Sequence, residues 1–174
     1  MNSALFVANY IIEYCNEQGL EINNLRLQKL LYFVNVRNII ENGVPLFSET
    51  MEKWKFGPVV PRVYHEYKRF GAFKISKENI VKQLIEFDKN PFSQLFDGSI
   101  KEYNQSDVED PQLIEDTVNK LQKYGSFDLV YLSHKHTPWK KEEYRIMKGI
   151  QGIEYSTEEL QEYFNNNPEE KIWI

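Results

Sequence analysis

The sequence predicts a mainly α fold: a compact multi-helix single domain with a buried central helix and a minor short β element. Three observations lead there. Apolar residues recur at helical spacing over most of the chain, one segment between Leu27 and Ile40 is apolar nearly all the way round, and only a short alternation at Met51–Phe56 reads as strand. At 174 residues, 41% hydrophobic and 14% aromatic, the chain is globular in composition. A chain of this length buries roughly 70% of its unfolded surface, so a core can hold it without disulfides or metal.

Ala4, Val7, Ala8, Ile11, Tyr14 and Cys15 share one helical face and Gly19 stands where a helix ends, which predicts a first helix over about residues 3–18. Asn23 or Asn24 can cap the second with its side-chain oxygen. There Leu27, Leu30, Leu31 and Val34 form a stripe that Tyr32, Phe33, Val36, Ile39 and Ile40 widen, so this helix, ending near Asn42-Gly43, is the expected buried axis. Gly57-Pro58 reads as a break, because glycine accepts a positive φ and proline fixes the exit direction. Pro61 suits the first turn of a helix with Val63, Tyr64, Tyr67 and Phe70 on its face and Gly71 at its end.

Ile80, Leu84 and Phe87 suit a short helix up to Asp88, and Asn90–Pro111 reads as a polar loop with a short strand around Ser99–Tyr103. Leu113, Ile114, Thr117, Leu121 and Tyr124 fit a further helical face closed by Gly125. Ser126 can cap the next helix, Thr137-Pro138 interrupts, and Trp139–Met147 resumes. Ser156 or Thr157 caps a last helix over Glu158–Asn165, with Leu160, Tyr163 and Phe164 inward.

The single cysteine, Cys15, excludes an internal disulfide and argues for a reducing compartment. No segment reads as a signal peptide, and no run approaches the roughly 18 apolar residues needed to span a bilayer. A cytoplasmic protein without membrane contact is expected. The net charge of −5 disfavours nucleic acid as a partner, since gripping phosphates depends on Lys and Arg. Between Lys135 and Lys148 five Lys/Arg face two Glu, whereas Glu154–Glu170 carries six Glu and neither Lys nor Arg. Two solvated helix faces, or a local basic patch on an acidic body, account for this.

Catalytic chemistry is absent from the pattern. His134 and His136 are two apart, which on a helix aims them in different directions, and they read as a surface pair rather than as metal ligands. Cys15 lies on the apolar stripe of the first helix, where it acts as a small hydrophobe. No nucleophile elbow, phosphate loop or dinucleotide fingerprint is present, so neither an enzyme nor a cofactor is expected. Trp54-Lys55-Phe56 offers an edge to which a partner can add a strand. Trp139 reads as a core anchor or as a contact, and His134 can hold the Thr137-Pro138 break through a neighbouring carbonyl.

Leu27-Gln28-Lys29-Leu30-Leu31-Tyr32, followed by Trp54, Phe56-Gly57-Pro58-Val59-Val60 and Val63-Tyr64, resembles the signature of the Panacea domain, also called SocA-like or GepA-like. Leu132-Ser133-His134 with Trp139 is similar to that family's second motif, a Thr/Ser-His followed by a Trp. The resemblance implies a single Panacea-like domain over 1–174, with a core of about 3–165 and a variable insertion at about 73–111 that matches no family motif. It also implies a helical domain of bacteria and their phages, without shared catalytic residues, many of whose members are antitoxins that neutralise unrelated toxins by direct binding.

On this basis Leu27, Gln28, Lys29, Leu30, Tyr32, Gly57, Pro58, Tyr64, His134 and Trp139 are expected to be mainly structural. Partner contacts are expected from Trp54, Lys55, Lys135, His136, Lys140 and Arg145. The expected function is an antitoxin that binds a toxin encoded next to it. A phage- or prophage-encoded adaptor binding a host protein is the alternative. An acidic body is compatible with a toxin whose basic surface serves RNA or nucleotides. A third reading, nucleic-acid binding through Lys135, Lys140, Lys141, Arg145 and Lys148 with Trp139 and Tyr144 stacking, runs against the net charge.

Overall fold

The computed structural model describes residues 1–86 and 99–174. Its elements in order are α1 (Ala4–Glu17), α2 (Asn24–Asn42), β1 (Glu52–Trp54), β2 (Gly57–Val59), α3 (Pro61–Tyr67), β3 (Gln83–Glu86), β4 (Ser99–Glu102), α4 (Pro111–Leu121), α5 (Ser126–Lys135), α6 (Thr137–Lys140), α7 (Glu143–Met147) and α8 (Thr157–Asn166). The fold is mainly α, as expected, with two antiparallel hairpins, β1–β2 and β3–β4, among the described residues.

Helix α2 is the axis. The Asn23 side chain accepts from the Arg26 amide at 2.9 Å to start it, and Gly43 at φ 78° ends it in the left-handed region. It packs against α1, α3, α4, α5, α8 and β2. Leu27, Leu30, Leu31, Tyr32, Phe33, Val34 and Val36 are all fully buried, each stabilising by roughly 1.5–3 kcal/mol. Two polar residues share that burial, Gln28 and Lys29. Trp173, beyond the expected core limit near 165, also joins the core, with its ring 5.3 Å from Phe164 and 6.4 Å from Phe33.

Several local expectations change. The helix through Ile80 and Leu84 is absent: Lys77–Asn79 is a single 3-10 turn, Ile80 is extended and Leu84 lies in β3. Residues four apart share a face in a strand as well as in a helix, so that spacing does not decide between them. Phe87, Asp88 and 90–98 lie outside the described residues. The short strand near Ser99–Tyr103 is β4, paired with β3 from Gln83↔Glu102 to Glu86↔Ser99.

Gly57-Pro58 does not break the chain but opens β2, paired Trp54↔Gly57, Lys53↔Pro58 and Glu52↔Val59 with β1. Ser126 is the first residue of α5 rather than its cap. The Gly125 amide donates instead to the Asp128 carboxylate at 2.8 Å. Thr137-Pro138 opens α6, with proline in the first turn where its missing N–H costs nothing. The expected helix over Trp139–Met147 is divided between α6 and α7. Ser156 caps α8 in a reciprocal pair with Glu159.

Candidate partner-binding site

The β1–β2 hairpin has an anchored underside and an exposed tip. On the underside, Lys29 Nζ donates to the Pro58 carbonyl at 2.8 Å, and the Val60 amide donates to Gln28 Oε1 at 2.9 Å. The Gln28 amide in turn donates to Asn24 Oδ1 at 3.1 Å, and the Asn24 amide to the Tyr64 carbonyl at 3.2 Å. Two adjacent α2 side chains thus do for the outer edge of β2 what a neighbouring strand would do. Proline suits this edge because it carries no N–H to leave unpaired. The outer edge of β1 is closed as well: the Lys53 amide donates to the Ile153 carbonyl at 2.7 Å, and the Tyr155 amide to the Met51 carbonyl at 2.8 Å. Strand addition at Trp54-Lys55-Phe56, the alternative that the sequence left open, therefore has no free edge to use.

Gly57 sits where three elements converge. Its φ is +87°, and a Cβ there would lie 2.6 Å from Ser133 Oγ and 3.1 Å from Lys29 Nζ. Only glycine accepts both the conformation and the approach. Ser133 is fully buried on α5 and donates to the Val130 carbonyl at 2.8 Å. Lys29 is 0% exposed, and no carboxylate pairs with it among the described residues. Burial pushes its pKa down to about 7, since an ammonium is poorly solvated there.

Trp139 closes the third side. It is fully buried, and its Nε1 donates to the Trp54 carbonyl at 2.9 Å. The His134 ring stacks on it, with centroids 3.7 Å apart and planes 11° from parallel. Burial lowers the His134 pKa, the nearby Lys29 charge adds to this, and a hydrogen bond with the Lys55 backbone opposes it. From α8, Glu159 receives Lys53 at 2.6 Å and Lys141 at 2.7 Å. Burial raises the Glu159 pKa, but the bonds to Lys141 and Lys53 outweigh it and hold the carboxyl below its usual value.

His134 and His136 do not form a surface pair. His134 is half-buried, and His136 is 1% exposed with its Nδ1 2.9 Å from Tyr32 Oη. Burial pushes the His136 pKa down to about 3, so the ring is neutral in this setting. It lies among Phe33, Tyr163 and Phe164 and is out of reach of a partner docking on this surface. The turn at Thr137-Pro138 is what swings it inward, an effect that spacing along a single helix cannot anticipate.

The tip faces outward. Trp54 is half-buried, its Nε1 donating to Glu52 at 2.7 Å and its ring edge-on to Tyr64 at 4.9 Å. Lys55 and Phe56 are exposed. Beside them runs a groove of 610 Å³ between the hairpin, the first turn of α2, α3 and the first turn of α5, walled by Trp54, Phe56, Val59, Tyr64 and Phe127. A smaller groove of 310 Å³ lies on the other side of the tip, where Lys55 meets His65, Ile146 and Ile150.

Lys135, Lys140 and Arg145 are exposed but do not line the larger groove. Lys140 pairs with Glu143 at 2.7 Å, Arg145 with Glu142 at 2.8 Å, and Lys135 lies over the Tyr131 ring at 4.4 Å. Glutamates therefore neutralise much of the basic stretch. Phe127 was missed by the sequence reading; its place two residues before Leu129, off the buried stripe of Leu129, Val130 and Ser133, is a weak signal that does not by itself mark a contact. Lys68, on the turn after α3, carried no such signal. Among the described residues no group of three or more His, Cys, Asp or Glu is placed to hold a metal.

The family model for the antitoxin SocA-like Panacea domain matches residues 27–140. The chain belongs to this family. A curated relative, Antitoxin SocA of Caulobacter vibrioides (strain NA1000 / CB15N), is 39% identical over 79 residues, which is 45% of this chain and 42% of that protein. The match thus spans less than half the length of that relative. No solved structure matches the chain. The Panacea span opens on the first turn of α2 and closes at the end of α6. It contains most residues of the hairpin's underside, Gln28, Lys29, Gly57, Pro58, Ser133 and Trp139 among them, while Asn24, Lys141, Ile153, Tyr155 and Glu159 lie outside it, so the family span covers the direct anchors of the hairpin. No helix of the described residues is long and apolar enough to cross a membrane.

Proposed function

We propose that the protein is a non-catalytic antitoxin that neutralises a cognate toxin, encoded next to it, by direct protein–protein binding in the cytoplasm. Residues 1–174 act as one Panacea-like unit, and the outer face of the β1–β2 hairpin makes the contact. Membership of the antitoxin SocA-like family carries this reading. Most of its motif residues are spent beneath the hairpin, whereas the motif's Phe56 stands exposed above it together with Lys55 and Phe127. Aromatic side chains at the centre of a patch are the usual anchors of protein interfaces. The net charge of −5 suits a partner with a basic surface elsewhere in the complex.

Expression of the neighbouring reading frame with and without this chain tests the proposal. Relief of toxicity, with the two proteins purifying together, is expected. A harmless neighbour, or toxicity that persists beside abundant soluble chain, contradicts it.

A further inference from the structure

We infer that the groove beside the hairpin tip docks a segment of a protein partner that sets an aromatic or branched apolar side chain next to carboxylates. The inference rests on the binding role proposed above and adds the chemistry the partner must carry. The walls are apolar, and two rings that line the groove, Phe56 and Phe127, remain 54% and 70% exposed. Large apolar side chains clustered at a concave surface mark an interaction site.

The charge of the groove is of one sign. Lys55 and Lys68 line it, and no carboxylate does among the described residues. Neither lysine has an ion-pair partner among those residues, whereas Lys53, Lys140, Lys141 and Arg145 are each matched by a glutamate. On a chain of net charge −5 this unmatched positive groove stands against the background and selects an acidic neighbour. The first turn of α2, which opens onto it at Asn24, adds partial positive charge of its own, whereas that of α5 is offset by Asp128. Both hairpin edges are already bonded, so recognition runs through the partner's side chains rather than its backbone.

Panning a displayed library of random peptides on the immobilised full chain tests this. Enriched peptides are then titrated against wild type, Phe127→Asp, Lys68→Glu and, as a surface control outside the groove, Tyr144→Asp. All three positions are exposed, and matching thermal melts verify that the variants fold. Enrichment of Phe, Trp, Leu or Ile beside Asp or Glu is expected. Binding should weaken at least about tenfold in both groove variants and hold in Tyr144→Asp.

No enrichment, enrichment of sequences without carboxylates, or equal binding to the groove variants overturns the inference. So does a wild-type dimer that Phe127→Asp converts to monomer, since a second copy would then fill the groove. Neutralisation separates this failure from that of the antitoxin reading. Full neutralisation by Phe127→Asp removes the groove and leaves the antitoxin. Groove-dependent acidic peptide binding without any toxic neighbour upholds the groove and removes the antitoxin.

Discussion

The underside and the tip of the β1–β2 hairpin are a few residues apart in sequence and opposite in chemistry. Beneath it, Gln28, Lys29, Gly57, Ser133 and Trp139 are buried and closely packed, and each polar atom that reaches the hairpin has a stated partner. Above it, Lys55, Phe56, Lys68 and Phe127 are exposed, and the two lysines lack an ion-pair partner among the described residues. A family pattern concentrated on the first set describes how a platform is held. The second set, Phe56 of the motif included, carries no packing duty beneath the hairpin and faces outward. Substitutions below should therefore cost stability, and substitutions above should cost binding.

The largest effect is expected at Trp139→Ala, which empties a fully buried ring site and removes the bond to the Trp54 carbonyl. Urea denaturation should register a loss of about 3–5 kcal/mol. Lys29 gives the next largest. In the folded chain it releases its proton near pH 7, whereas the unfolded chain keeps it to 10.5. Between those values the unfolded state holds more protons, so stability rises with pH and is lost as pH falls back through 7. From pH 7 to 9.0 wild type should gain about 2–3 kcal/mol relative to Lys29→Met, a difference in which groups common to both proteins, Cys15 included, cancel. Parallel pH profiles for the two proteins would show that Lys29 is not held as described. Gly57→Ala follows. Its φ of +87° and the 2.6 Å approach to Ser133 Oγ should cost about 2 kcal/mol, read as a shift in the urea midpoint.

Much of the platform was legible in the sequence, and the reasons are local. Asn23 and Gly43 bound α2 through their own backbone and side-chain chemistry, and the near-continuous apolar character of α2 marks it as the buried axis. Gln28 and Lys29 carried a further signal, since two polar residues on such a helix require internal partners. Those partners, Val60 and Pro58, lie about thirty residues on, and no spacing rule connects them. The second strand was hidden because Gly57-Pro58 reads as a break unless Lys29 is known to satisfy the Pro58 carbonyl. The groove was least legible. Phe56 and Phe127 are brought to one surface only by tertiary packing, and each alone resembles an ordinary apolar residue.

Hydrogen–deuterium exchange of the amides from Lys53 to Val60 compares the two sides most directly. Gln28→Leu removes the acceptor of the Val60 amide, and Phe127→Asp changes an exposed ring. The account predicts that Gln28→Leu loses hairpin protection, with a stability cost of about 1–3 kcal/mol. Phe127→Asp should keep wild-type protection and stability within about 0.5 kcal/mol. Unchanged exchange in Gln28→Leu, or a collapse of hairpin protection in Phe127→Asp, would contradict the division between an anchored underside and a free binding face.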